Sequence, residues 1–167
     1  MTMSVLQKGG GARSRLTAAD VWRAVTHSSF AVLSHVTPAG TPRSSGVVYV
    51  VDQGRMFVVV AQDSWKARHI AMDGEVAVTV PIRRGGIMSL LLPIPPATVS
   101  FRAVAVVHPG DVLAGMPRLA RVVPAERRSA CAVLEVRPFG HYLTYGLGVP
   151  LWAMREPARS RARIPVG

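Results

Sequence analysis

The chain has 167 residues, of which 49% are hydrophobic and 17% are charged, so the composition excludes overall disorder and suits one domain. Lysine and arginine number 20 against 9 acidic residues, and the net charge of +11 favours an anionic partner. The single cysteine, Cys131, excludes an intramolecular disulfide and argues against a cysteine-based metal site. The sequence shows no signal peptide and no apolar stretch of the about 18 residues that a membrane span needs, so we expect a cytoplasmic protein.

The first half of the chain predicts a helix followed by a three-stranded meander. Residues 1–15 are a basic, glycine-rich leader that we expect to be disordered. The segment Thr17 to Asp20 has the form of a capping box and opens a helix that ends at His27. Apolar runs separated by turn-forming residues then predict strands at Phe30–Val36, Arg43–Asp52 and Arg55–Ala61.

The second half predicts one more helix, from Ser64 to Met72, and a return to strands. Arg83 to Pro96 is an irregular apolar loop that we expect to contact a pocket or a partner subunit. A short helix is predicted near Val112 to Ala114, and Tyr142 to Tyr145 is assigned to the margin of the sheet. The remaining predicted strands are Glu75–Pro81, Ala97–His108 and Ala130–Arg137.

This order of elements indicates a mainly β protein of the α+β class. Strands and helices do not alternate as they do in a Rossmann fold. A six-stranded antiparallel barrel with short flanking helices accounts better for a meander followed by further strands. We assign residues 16–146 to this domain, and residues 147–167 to a C-terminal arm with a basic tail.

The strongest functional signal is the change from strand to helix near Lys66. The β-forming run that ends at Ala61 is followed by Gln-Asp-Ser-Trp-Lys-Ala-Arg-His-Ile, and Lys66 is one of only two lysines in the chain. A helix N-terminus carries unpaired N–H groups and a partial positive charge, so it can hold a phosphate. Ser64 can cap the helix, and its hydroxyl and Lys66 can both reach an anion. The simpler alternative is a capped helix with a solvated basic face.

The same stretch resembles the FMN-binding split β-barrel, the pyridoxamine 5′-phosphate oxidase-like superfamily. The resemblance covers residues 17–108 well: a strand, Gly-x-Pro at Gly40 to Pro42, two strands around Gly54, Ser-x-Lys at Ser64 to Lys66, a helix and a valine-rich strand. It implies a six-stranded antiparallel split β-barrel and an oxidoreductase that uses FMN or the deazaflavin F420. It also implies a cofactor at a homodimer interface and hydride transfer to or from a small organic substrate.

The resemblance implies a set of cofactor-binding residues but no catalytic residue. Ser64 and Lys66 would hold the phosphate, with Trp65 between them and Arg68 as a second phosphate partner. Val59 and Val60 would line the ring from the third strand. The second strand would supply backbone and polar contacts from Arg43, Ser44, Ser45, Gly46 and Val47.

Two positions depart from the family pattern, and the C-terminus lacks one of its motifs. Many oxidase members have arginine where this chain has Trp65, and a hydroxylated residue where it has Val60. The chain also lacks the Arg-x-His substrate motif of the true oxidases near its C-terminus. The resemblance therefore does not extend to vitamin B6 oxidation.

Three other interpretations remain open at this stage. The barrel could be a non-catalytic protein that stores or senses a flavin, or one that binds haem with His69 or His141 as axial ligand. It could be an empty scaffold. The basic charge could serve nucleic acid, although the signatures of common nucleic-acid-binding domains are missing, so this partner is not expected. No metal site is predicted, because the five histidines lack metal-ligand spacing.

Overall fold

The computed structural model describes residues 16–84, 95–150, 152, 154 and 156–167. The predicted leader at residues 1–15 and most of the predicted apolar loop lie outside these residues. Within the described part of the chain, no helix is long and apolar enough to cross a membrane.

The strands form one antiparallel sheet that closes on itself. Their bounds are β1 Phe30–Val36, β2 Pro42–Asp52, β3 Arg55–Ala61, β4 Glu75–Ile82, β5 Ala97–Pro109, β6 Cys131–Tyr145 and β7 Arg161–Pro165. Neighbours follow the order β3-β2-β1-β4-β5-β6-β7, and β3 also pairs with β6. Six strands therefore make a closed barrel, and β7 lies outside it along the edge of β6.

Short helices cover the barrel. They are α1 Ala18–Thr26, α2 Trp65–Met72, α3 Pro117–Ala120 and α4 Pro157–Ser160, with 3-10 turns at Gly110–Gly115 and Ala125–Ala130. The predicted capping box opens α1: Thr17 Oγ1 accepts from Asp20 N at 3.2 Å, and Asp20 Oδ2 accepts from Thr17 N at 3.1 Å. Val21 and Val25 of this helix are fully buried against the barrel.

Alternation along the strands separates a barrel core from a second apolar cluster. On β3, Met56 and Val58 are fully buried in the barrel core. Phe57 points to the other face, as period-two geometry requires, and packs with Leu113 and Leu119 beneath the 3-10 turn and α3. The covering segment between β5 and β6 therefore seals the outer face of β3.

The predicted fold class is confirmed, and the structure adds detail at the C-terminal end. β6 does not stop near Arg137 but runs to Tyr145, with an irregularity opposite Phe101 and Arg102. Pro138 lies between the part of β6 that pairs with β3 and the part that pairs with β7, and Gly140 adopts φ +76°. These residues suggest a strand end in the sequence, but a bulge with a change of partner accommodates them. Strand β7 was not predicted.

Tyr49→Phe should destabilise the fold by about 1 kcal/mol, the usual net value of a hydrogen bond. Tyr49 is 2% exposed, and its hydroxyl donates to Val25 O at 2.6 Å, which joins β2 to the end of α1. Urea unfolding measures the loss. Tyr145→Phe is the matched control, because that hydroxyl is 3.4 Å from its acceptor on a more exposed ring. An equal loss in both variants would contradict the assignment.

Candidate functional site

The start of α2 is capped by the side chain of Ser64. Ser64 has extended backbone angles (φ −66°, ψ 146°), and its Oγ accepts from Ala67 N at 3.2 Å. Its hydroxyl proton remains available to a ligand because the oxygen is the acceptor in this cap. Ala67 and Ile70 are buried in the barrel core, so the helix is fixed against the barrel. The first turn of α2 contains no acidic residue.

Lys66 is half-buried at this terminus, and burial lowers the pKa of its ammonium group. In the part of the chain that the structure describes, no carboxylate forms an ion pair with it. Asp63, the nearest acidic residue in sequence, is exposed and is not paired with Lys66. A partly desolvated cation thus stands beside the positive end of a helix without a negative partner.

Two imidazoles lie next to Lys66. His35 is 8% exposed on β1, and its Nε2 is 3.1 Å from Nδ1 of His69 on α2. The pKa of His35 is lowered, first by burial and then by the positive charges of His69, Lys66 and Arg43. These residues were predicted on three separate elements, and the fold brings them together.

Strand β2 contributes a cation and a hydroxyl pair to this region. Arg43 is exposed and lies opposite His35 in the β1–β2 register. The next residue, Ser44, is on the outer face, where its Oγ is 2.7 Å from Oγ of Ser34. Arg43 is therefore the predicted β2 residue whose charge acts on His35.

The other predicted β2 residues divide between the two faces of the strand. Ser45 is partly buried, and its Oγ has no hydrogen-bond partner within the described residues. Val47 is 7% exposed and belongs to the barrel core. Gly46 lies on the outer face under the ring of Phe30, where a Cβ would be 2.9 Å from the nearest ring carbon. Glycine at this position lets the phenyl ring lie flat on the sheet.

Trp65 and Arg68 form an exposed pair on α2. The indole is 71% exposed, and the Arg68 guanidinium carbon lies 4.4 Å from its ring centroid. The ring of His69 is 5.8 Å from that of Trp65. The aromatic surface therefore borders the basic cluster, and Arg68 stacks on it.

Val59 and Val60 do not share one surface. Val60 is 9% exposed and packs in the barrel core, whereas Val59 packs against the second apolar cluster. The predicted contact of both side chains with one ring stays a prediction, and only the backbone of β3 is common to the two faces.

Sequence reasoning missed the histidine pair as a unit. His69 was considered only as a haem ligand, and His35 was not assigned to the site. The available signal was alternation, since His35 shares the inward face of β1 with Ala31 and Leu33. The other candidate haem ligand, His141, has its Nδ1 3.4 Å from an Arg163 nitrogen. Within the described residues, no group of three His, Cys, Asp or Glu side chains could hold a metal ion.

The buried acidic side chain of Glu135 forms ion pairs elsewhere in the barrel. Glu135 is 4% exposed and accepts from Arg55 at 2.9 Å and Arg137 at 2.8 Å. The Arg137 hydrogen bond, with help from His108 and the neighbouring positive charges, lowers the pKa of Glu135 to about 2. The charge of Glu135 on β6 is thereby neutralised by its own partners. Among the described residues, it therefore does not neutralise the basic cluster around Lys66.

The donor set at α2 fits a phosphate group. An ammonium, a guanidinium, a capping hydroxyl and helix N–H groups are the usual ligands of phosphate oxygens. The aromatic surface of Trp65 lies beside them and gives apolar surface next to the charged groups. A phosphorylated compound with a flat ring combines these two properties.

No family model matches the sequence, and no curated protein matches it. Solved structures do match. The heme binding protein from Mycobacterium smegmatis gives a TM-score of 0.62 at 22% identity, over 80% of this chain and 55% of that chain. This chain thus spans little more than half the length of that protein.

Two further structures extend the range of this similarity. An F420 reductase gives a TM-score of 0.54 at 17% identity, over 71% of this chain and 92% of that chain. A Listeria innocua protein classed provisionally as a pyridoxamine 5′-phosphate oxidase gives 0.56 at 11% identity, over 72% and 92%. At these identities the similarity shows the fold alone, and this chain shares its antiparallel β-barrel fold with these three structures.

Acidification should weaken the fold through His35. Because its pKa is lowered in the folded state from 6.5, the unfolded chain binds the proton more tightly. Stability is then lost as the pH falls through 6.5 towards the folded-state pKa. We expect the urea midpoint of His35→Leu to fall less than that of the wild type between about pH 8 and about pH 5. His27→Gln, which removes an exposed imidazole, is the matched control. An equally steep fall in His35→Leu would contradict the expectation.

Proposed function

We propose that this chain is a cytoplasmic, homodimeric redox protein that binds FMN or F420 with the phosphate at the start of α2. Hydride would pass between the cofactor ring and a small organic substrate. The observation that carries the proposal is Lys66, a half-buried cation at a helix N-terminus with no carboxylate partner among the described residues.

A bound phosphate removes an electrostatic cost that the protein otherwise carries. Burial disfavours the charged form of Lys66, and the positive end of the helix adds repulsion. A bound phosphate attracts both the ammonium group and the helix end, and each charge-assisted hydrogen bond adds about 1.5–3 kcal/mol. The site is therefore better suited to an anion than to water.

The protein groups bind and orient, while the cofactor supplies the redox chemistry. A flavin or deazaflavin ring accepts and donates hydride when bound. Lys66 and the Ser64 hydroxyl hold the phosphate end, and Arg43 adds charge from β2. Such a division of labour needs no acid–base pair from the chain.

The outer face of the sheet supports a homodimer. Exposed apolar side chains on this face are Phe30 at 48%, Val36 at 48%, Val48 at 58% and Leu143 at 54%. Between them, short polar side chains form hydrogen bonds with one another. Thr79 Oγ1, for example, lies 2.9 Å from Ser100 Oγ. A flat face with apolar residues and few unpaired polar atoms can be buried against a second copy at low desolvation cost.

Haem binding is the second candidate, and the histidine pair favours it. His69 is half-buried beside the exposed indole of Trp65, so one of its ring nitrogens could face a flat macrocycle. The likeness to the heme binding protein from Mycobacterium smegmatis supports the same candidate. A Soret band on titration with haem, without binding of FMN or F420, would favour this candidate over the first.

Lys66→Ala should weaken FMN or F420 binding by about 1.5–3 kcal/mol, the value of a hydrogen bond to a charged group. Quenching of cofactor fluorescence on titration of the stripped protein measures the affinity. Lys66→Arg keeps the charge and should lose less, and Arg128→Ala is the control for removing a distant cation. Arg128 is bound to Ala120 O at 2.9 Å in the covering segment. Unchanged affinity in Lys66→Ala would remove Lys66 from the site.

The protein should sediment as a dimer at micromolar concentration, and Val48→Glu should shift it towards the monomer. A carboxylate at the centre of the outer face would be buried without a partner in the dimer. Val122→Glu is the matched control, since Val122 is 53% exposed in the segment that covers β3. A wild-type protein that sediments as a monomer would argue against an interfacial cofactor.

A further inference from the structure

We propose that His69 is a further anion-binding residue of this site, and that His35 is the positioning residue that fixes which of its nitrogens carries the proton. This inference rests on the proposed function, because it assigns a role at the same phosphate site. It starts from the contact of His35 Nε2 with His69 Nδ1 at 3.1 Å.

Burial decides which nitrogen of His35 carries its proton. Nδ1 of His35 is buried and has no hydrogen-bond partner among the described atoms. An orphaned N–H group is rarer in protein interiors than an under-satisfied acceptor. We therefore place the proton on Nε2, the nitrogen that faces His69. Additional protonation of His35 is opposed by burial and by the nearby cations Lys66 and Arg43.

The tautomer of His69 follows from that of His35. If His35 Nε2 donates, Nδ1 of His69 must accept, and a neutral His69 then carries its proton on Nε2. This second nitrogen becomes a hydrogen-bond donor. The buried imidazole of His35 on β1 thus fixes which nitrogen of His69 on α2 is the donor.

His69 lies on the same helix face as Lys66. His69 follows Lys66 by three residues, and residues so spaced share a helix face. Its ring lies between His35, at 5.4 Å, and Trp65, at 5.8 Å. A phosphate held by Lys66 therefore has a neutral N–H donor on the same face, with its direction fixed before the ligand arrives.

Charged groups on the surrounding elements do not offer His35 another partner. Arg43 on β2 is opposite His35, and the β4 residue in register is Val76. Glu75, the neighbouring acid on β4, pairs with Arg102 at 3.2 Å. After α2, Asp73 accepts from Glu75 N at 3.0 Å. Among the described residues, the contact to His69 is thus the polar side-chain interaction of His35.

Nuclear magnetic resonance of the wild-type protein tests the tautomer without a cofactor. With 15N-labelled histidine at about pH 8, where free imidazole is neutral, long-range 1H–15N spectra should show both His35 and His69 protonated on Nε2. A His69 ring protonated on Nδ1 would overturn the proposal.

Binding titrations test the role of the donor. With FMN, F420 and inorganic phosphate as probes, His69→Leu should lose about tenfold in affinity for the probes that the wild type binds. His69→Gln, whose amide can donate, should lose less. His35→Leu should also weaken binding, whereas His35→Gln should restore it, because a glutamine amide nitrogen can replace Nε2 as the donor to His69.

The outcomes separate the inference from the proposed function. Wild-type affinity in His69→Leu, or equal affinity in His35→Leu and His35→Gln, would overturn the inference and leave the phosphate site standing. Failure of the wild type to bind any of the three probes would overturn both. Loss in His69→Leu together with rescue by His35→Gln would support a positioned donor, since a merely structural role for His35 would not depend on an amide at that position.

Discussion

The pairing of β3 with β6 is the constraint on which the rest of the structure depends. Six residue pairs, from Met56 opposite Val136 to Ala61 opposite Cys131, join the third strand to the sixth and close the sheet. Closure gives the barrel a single interior, and the inward-facing side chains of β1, β2 and β3 pack in it. Because β3 is held on both edges, the chain leaves it at a fixed place, and α2 must begin there. The basic cluster is thus a consequence of how the barrel closes.

The position of α2 explains why the charges of the site remain unpaired. The helix buries Ala67 and Ile70 in the core. Lys66 and His69 are therefore partly shielded from water next to β1. Acidic residues could have neutralised them, but those described in ion pairs lie with other partners: Asp20, Glu75, Glu135 and Glu156. The excess positive charge of the chain is therefore not spread as a uniform solvated surface. Part of it is concentrated and partly desolvated at a helix terminus, which is the arrangement that favours a small anion over a long polyanion.

Local patterns predicted the elements of the fold well, and they failed where pairing partners decide the outcome. The capping box at Thr17, the turn at Gly54 and the cap at Ser64 are local signals, and α1, β3 and α2 begin beside them. The continuation of β6 past Pro138 depends on which strand lies beside it, and sequence periodicity does not carry that information. The short strand β7 was missed for the same reason, because it is a strand through its pairing with β6.

Only those residues of the candidate site that lie in local sequence motifs could be predicted. Ser64, Lys66 and Arg43 follow from helix chemistry and from the resemblance, and the structure brings the charges of Lys66 and Arg43 to bear on His35. The contact between His35 and His69 joins residues 34 positions apart, so no local pattern could reveal it. Strand alternation, which is a local pattern, sends the side chains of Val59 and Val60 to opposite faces, and their predicted contact with one ring stays a prediction.

The two candidate cofactors make opposite demands on one atom, Nε2 of His69. Phosphate binding uses this nitrogen as a protonated donor, whereas a haem iron would need its lone pair. The contact with His35 occupies Nδ1, so the other nitrogen is the one open to either ligand. Buried Nδ1 of His35 favours the tautomer in which His69 Nε2 is protonated. Under the proposed function, this tautomer therefore suits a phosphate acceptor at His69 better than a haem iron.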